Sequence, residues 1–341
     1  MRHVVMTLGW VLAWAAPPAL ADQILLHDGT LHQGVQVTSE SLAEVKFTKG
    51  GEAQSIAPGT RVKNILRDKM PEGLDNGFGF LNAGQPQKAI DEFTSQAASG
   101  SGWVVEYACF GLGQAKMALG QRGGGDAMYT SAIESFDKLL VTNSQSRFAI
   151  DAGLLKGTCY RLLKQYAQAI SAYDQAKAAA GAVGDGWPER AAVGAGWTHL
   201  EAGRAAEAKA VFEAAASGAS SFPAVRREAL VGWIEAASAA GCAPEIPGKM
   251  QGLQAGADRA TLGVVHAGLG VALFAEKQYA QARLELVQTV SIYASDPNAH
   301  ALALYFAGQC YKALGEDDYP PIYWRELRDR YPLSTWALRL K

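Results

Sequence analysis

Small residues and aromatics recur at fixed intervals through most of this chain. Counting from residue 150, Gly157 falls at position 8, Tyr160 at 11, Ala169 at 20, Tyr173 at 24 and Ala176 at 27. The register returns from 189 with Gly196, Ala208, Phe212 and Ala215, and from 70 with Gly77, Phe80, Ala89 and Phe93. From 263 it gives Gly270 and Ala282, with Leu286 in the aromatic place; from 301 it gives Gly308, Tyr311, Trp324 and finally Pro332. A unit near 106 has Gly113, an insertion, then Ala132 and Phe136; one near 225 has Gly232 and a degraded second half around Gly241-Cys242-Ala243-Pro244. The spacing predicts helix pairs. A small residue at 8 and alanine at 20 let two backbones approach, and the large side chain at 24 fills the space beside the next pair. One pair cannot cover its own apolar face, so neighbours must stack.

These positions carry the signature of the tetratricopeptide repeat, and residues 70–341 resemble that family. The resemblance implies a right-handed α–α solenoid whose first helices line a concave groove. The family's tryptophan at position 4 is absent, and the units run longer than usual. Pro320 at position 20 of the last unit predicts a late second helix, from about Pro321 or Ile322. The ending YWRELRDRYPLSTWALRLK is similar to bacterial envelope members of the family, which implies a capping helix over Ser334–Lys341.

Residues 22–66 follow a different rule. Ile24 and Leu26, Val35 and Val37, and Val45 and Phe47 alternate with period two, between turns at Asp28-Gly29, Lys49-Gly50-Gly51 and Pro58-Gly59. Strands are expected at about 23–27, 30–38, 44–48, 52–57 and 61–66. So short a segment buries a core by curling, and ILLHDGTLHQGVQV is similar to the opening hairpin of SH3-like and Sm-like barrels. Arg67–Gly73 reads as a linker. The expected fold is mainly α: a small all-β barrel over 22–66, then a helical repeat domain over 74–341 with its C-terminal cap.

Arg2, the apolar run Val4–Ala16 and Ala19-Leu20-Ala21 form a secretory signal, with cleavage expected before Asp22. The run is shorter than the roughly 20 residues a membrane helix needs. Export is expected, to the periplasm in a Gram-negative source, with no membrane insertion after cleavage. Losing Arg2 moves the formal charge from −2 to −3, which offers nothing to nucleic acid. Cys109, Cys159, Cys242 and Cys310 could pair in an exported protein, but their wide spacing and apolar neighbours suit buried or free thiols better.

No catalytic, cofactor or metal set emerges. The pairs Gly77/Gly79, Gly111/Gly113, Gly194/Gly196 and Gly268/Gly270 lack the third glycine of a dinucleotide motif and follow no strand, so close helix packing explains them. Gly120–Asp126 lacks a following Gly-Lys-Ser/Thr and reads as a flexible connection. The histidines His27, His32, His199, His266 and His300 are scattered. What remains is binding. Family members hold a protein or peptide partner through positions 2, 5, 9, 12 and 13 of the first helices. That implies Asp151, Thr158, Arg161, Arg190, Trp197, Tyr305, Gln309 and Lys312 as groove residues. The expected function is a non-catalytic exported scaffold of the cell envelope. The alternatives are an enzyme, or a subunit regulating one, acting on envelope polymers such as peptidoglycan, and a self-assembling structural protein. Reversing the charge of Arg161 and Arg190 is expected to abolish capture without lowering the melting temperature.

Overall fold

The computed structural model describes residues 21–181, 183–332 and 334–340. Residues 1–20, nearly all of the expected secretory signal, lie outside them. The chain divides into two compact units, one ending at Pro71 and one beginning at Glu72.

The first unit is a five-stranded antiparallel sheet: β1 (Asp22–Leu26), β2 (Leu31–Glu40), β3 (Val45–Lys49), β4 (Glu52–Ile56) and β5 (Val62–Leu66). Its order is β4-β3-β2-β1-β5, and a 3-10 turn at Gly59–Arg61 joins β4 to β5. Each strand falls within two residues of its expected bounds. The alternation places Ile24, Val35, Val37, Val45, Phe47, Val62 and Ile65 on one face, where they form a single core. Registered pairs bring Val37 opposite Phe47, Val45 opposite Ile56, and Ile24 opposite Ile65. The β3–β4 turn uses Gly50 and Gly51 at φ +58° and +87°, where a side chain would be strained. Asp22 secures the unit's ends, accepting from the Val37 and Asp68 amides at 2.9 Å each.

The second unit is helical. Seven hairpins follow in series: α1 (Glu72–Asn82) with α2 (Pro86–Ser99), α3 (Trp103–Leu119) with α4 (Asp126–Thr142), α5 (Ala149–Leu162) with α6 (Tyr166–Ala180), α7 (Trp187–Glu201) with α8 (Ala205–Gly218), α9 (Pro223–Ala239) with α10 (Ile246–Gln254), α11 (Arg259–Ala275) with α12 (Tyr279–Ser291), and α13 (Pro297–Ala313) with α14 (Pro320–Arg330). A short α15 (Thr335–Leu338) ends the chain. Odd-numbered helices touch successive odd-numbered helices, so they form the inner face, and α13 also reaches back to α9.

The small-and-large code explains the stacking. Phe212 of α8 sits between Gly196 of its own hairpin and Gly232 of the next. A Cβ on either glycine would come within 2.7 Å and 2.3 Å of the ring. Tyr173 lies in the same way between Gly157 and Gly194, and Phe93 between Gly77 and Gly111. In the pairs Gly111/Gly113 and Gly194/Gly196 the first glycine faces the ring of the hairpin before and the second the hairpin's own; Gly79, expected to serve close packing too, has open space instead.

Several expectations are corrected. Moving the origin of the fifth hairpin from 225 to 227 sets Gly232 at position 6, where Gly194 stands in the fourth, but leaves isoleucines, Ile234 and Ile246, at positions 8 and 20. Met250 then takes position 24, fully buried, and its sulfur abuts the notch at Gly268, where a Cβ would stand 2.7 Å away. A flexible thioether fills the place of a ring. The last second helix begins at Pro320, not later, because proline at the first helical turn gives up an amide that has no partner there anyway. The insertion at Gly120–Gly124 is a π-helical turn, not a loose loop, and Arg122 donates from it to the Gly84 carbonyl. Glu72 and Gly73, read as linker, already belong to α1.

Candidate functional site

The eight residues selected by register stand on α5, α7 and α13, and the structure uses them unequally. Asp151 on α5 is half-buried. Burial pushes its carboxyl up to about 6, against the opposing pull of Arg190 and Arg147. Arg190 on α7 is exposed, and its guanidinium lies over the Trp187 ring at 5.1 Å. Tyr305, Gln309 and Lys312 stand on α13 in the last hairpin, the first two half-buried and Lys312 exposed. The Tyr305 carbonyl accepts from the Trp324 indole at 3.3 Å.

Three of the eight are engaged inside the fold. Thr158 donates to the Leu154 carbonyl at 3.0 Å and shares a hydrogen bond with the Tyr173 hydroxyl at 3.0 Å. Arg161 donates to Glu201 of α7, and that neighbouring carboxylate, against the cost of burial, holds its guanidinium above its usual range. Charge reversal at Arg161 therefore attacks the frame as well as the groove, which corrects the expectation that it would leave the melting temperature unchanged. Trp197 is 8% exposed, and its ring meets Phe212 edge-on at 5.2 Å.

What covers Trp197 is the chain's own end. The Trp336 ring of α15 meets it at 5.5 Å and 89°. The Trp336 indole donates to Glu235 Oε2 at 2.6 Å, and Arg339 donates to Glu235 Oε1. Thr335 donates to Glu201 at 3.3 Å. Glu235 sits on α9 and is 5% exposed; burial raises its carboxyl pKa, with Arg339 opposing. Glu228, also on α9, is raised by burial, with Arg190 opposing and Asp296 reinforcing. The terminal helix thus does more than close the last hairpin: it lies across the inner faces of α7 and α9.

Register reasoning missed Glu201, Glu228, Glu235, Trp336 and Arg339. Glu201 was within reach, at position 13 of the unit counted from 189. Counted from 225, Glu228 and Glu235 fall outside the five groove positions; counted from the corrected origin at 227 they stand at positions 2 and 9, within them. The arrangement holds buried acids beside an indole face. That chemistry grips an aromatic side chain and a cation at once.

No helix among the described residues is long and apolar enough to cross a membrane. No family model and no curated protein matches the sequence. Among solved structures, the chain is similar to a tetratricopeptide repeat protein from Parabacteroides merdae: 13% identity over 79% of this chain and 96% of that one, with a TM-score of 0.54. It also aligns with PilW, a type IV pilus biogenesis factor, at 18% identity over 69% and 98%, TM-score 0.43. NprR in complex with its cognate peptide NprX aligns at 12% identity over 78% and 80%, TM-score 0.46. The first likeness identifies the architecture: the helical unit is a tetratricopeptide-like α–α solenoid.

Proposed function

We propose that the chain is a non-catalytic exported scaffold that captures a protein or peptide partner in the cell envelope, through the concave face of its helical hairpins. One observation carries this reading. The inner face already grips a peptide-like segment, with the Trp336 ring against Trp197 and both Glu235 oxygens engaged. A surface that binds one short helix by an aromatic anchor and charge-assisted bonds has what hot-spot recognition requires. Asp151, Arg190, Tyr305, Gln309 and Lys312 extend that face, while Thr158, Arg161 and Trp197 support it from within.

Export rests on Arg2, the apolar run Val4–Ala16 and the small residues of Ala19-Leu20-Ala21. In this reading residues 1–21 are removed, and 22–66 form a small SH3-like barrel that serves as a docking module. The strand order, with β1 between β2 and β5 and a 3-10 turn before β5, supports that likeness.

The test is crosslinking in the producing cells, capture of the tagged chain and mass spectrometry. An Arg190→Glu/Lys312→Glu variant changes two exposed side chains. The same partner should be recovered with the unaltered chain and lost, at least tenfold, with the variant, at a temperature where circular dichroism shows both folded. Equal recovery from both would overturn the groove as the capturing surface.

A further inference from the structure

We propose that the inner face over α7 and α9 is a site for a helical peptide bearing an aromatic residue and, three positions later, a cation, and that α15 is its built-in occupant. This rests on the groove reading above and names the partner's chemistry. Residues three apart share one face of a helix. Trp336 and Arg339 have that spacing, and they converge on the two oxygens of Glu235.

The site is built to need an occupant. Glu235 is buried on α9, and both of its partners come from the last six residues of the chain. Without them the Glu235 carboxylate would lose both of the donors it accepts from, and a buried carboxylate left so is costly inside a protein. Any ligand that displaces α15 must therefore supply a donor and a cation. Glu201 of α7, which accepts from Thr335 at 3.3 Å, gives the segment a second polar hold.

The occupant is also built to leave. A single helical turn is too short to be stable on its own. The Arg339 side chain keeps 36% of its exposure, so the charged end of the contact is open to competition from solvent. Ser334 alone caps the turn, accepting from the Ala337 amide at 3.2 Å and donating to the Tyr331 carbonyl at 2.9 Å. Beyond the site, release of α15 also uncovers its contacts with α13 and α14. A partner with the same aromatic-x-x-cation pattern competes with a tethered tail, so the free protein is self-occluded and strong partners are selected over weak ones.

The probe is a fluorescein-labelled octapeptide, Ser-Thr-Trp-Ala-Leu-Arg-Leu-Lys, followed by anisotropy. It is titrated into the full chain, into the full chain carrying Trp336→Ala/Arg339→Ala, and into a chain ending at Pro332. The two tail variants should hold the peptide at least tenfold more tightly than the unaltered chain. A peptide with alanine for tryptophan should lose that gain, as should Glu235→Gln in the tail variant. Circular dichroism reports folding, and where one tail variant unfolds the other decides. The proposal is overturned if a folded tail variant takes up no more peptide than the unaltered chain. It is equally overturned if both variants lose their helical signal, because the tail is then core. Partner capture that persists in cells while the peptide fails would leave the groove reading standing and remove only the self-occlusion.

Discussion

Arg161 of α5 and Glu201 of α7 form an ion pair between neighbouring hairpins, 40 residues apart in sequence. Both side chains are largely buried, at 14% and 22% exposure. Removing one partner strands the other. Arg161→Met should cost about 2 kcal/mol in urea unfolding, and Arg161→Met/Glu201→Gln should recover most of it. A double variant no more stable than the single one would show that the pair is not what matters at this joint.

The ring at Phe212 makes a sharper case, because it is confined on both sides. Gly232→Ala sets a methyl 2.3 Å from the ring, and Gly196 closes the other side. Overpacking of this kind should lower stability by about 2 kcal/mol. Phe212→Leu in the Gly232→Ala background should return part of that loss. A melting temperature unmoved by Gly232→Ala would break the account of hairpin stacking given above.

That account also explains what could be read from the chain alone. Strand alternation and the spacing of glycine, alanine and ring are local, so all five strands and all seven hairpins could be placed before any coordinates. Met250 hid the fifth hairpin's register, because a thioether fills the notch at Gly268 without resembling a ring. The site was only half legible. Register selected the inner face but could not say which of its residues the fold had consumed. The bonds from Thr335 to Glu201 and from Trp336 to Glu235 span 134 and 101 residues, and depend on how the array curves.

Asp151 should give the protein a distinct response to acid. Its folded carboxyl is pushed up to about 6, above the ordinary 3.8, so the folded state holds its proton more tightly than the unfolded chain. The group therefore costs nothing at pH 3, below both values, and destabilises progressively as pH rises from about 4 through 6. Asp151→Asn should match the parent near pH 3 and exceed it by about 2 kcal/mol at pH 7. Denaturation curves at both values decide it, and a gain independent of pH would place the cause elsewhere.

Thiol chemistry should separate the cysteines cleanly. Burial pushes Cys159 and Cys310 up to about 12 and raises Cys109 as well, whereas Cys242 keeps partial exposure. All four are free thiols. At pH 8 an aromatic disulfide reagent should titrate Cys242 alone in the folded protein, and all four in denaturant. Rapid reaction of a second thiol would mean that a helix pair opens readily.

Because Phe93, Tyr173 and Phe212 are each held by one notch in their own hairpin and one in the next, a hairpin that carries both notches contributes half of two like couplings. Excising residues 189–226 would bring Tyr173 to the notch at Gly232, where Phe212 now rests. Such an array can lengthen or shorten by whole carriages, and the reach of its inner surface becomes something evolution adjusts by counting.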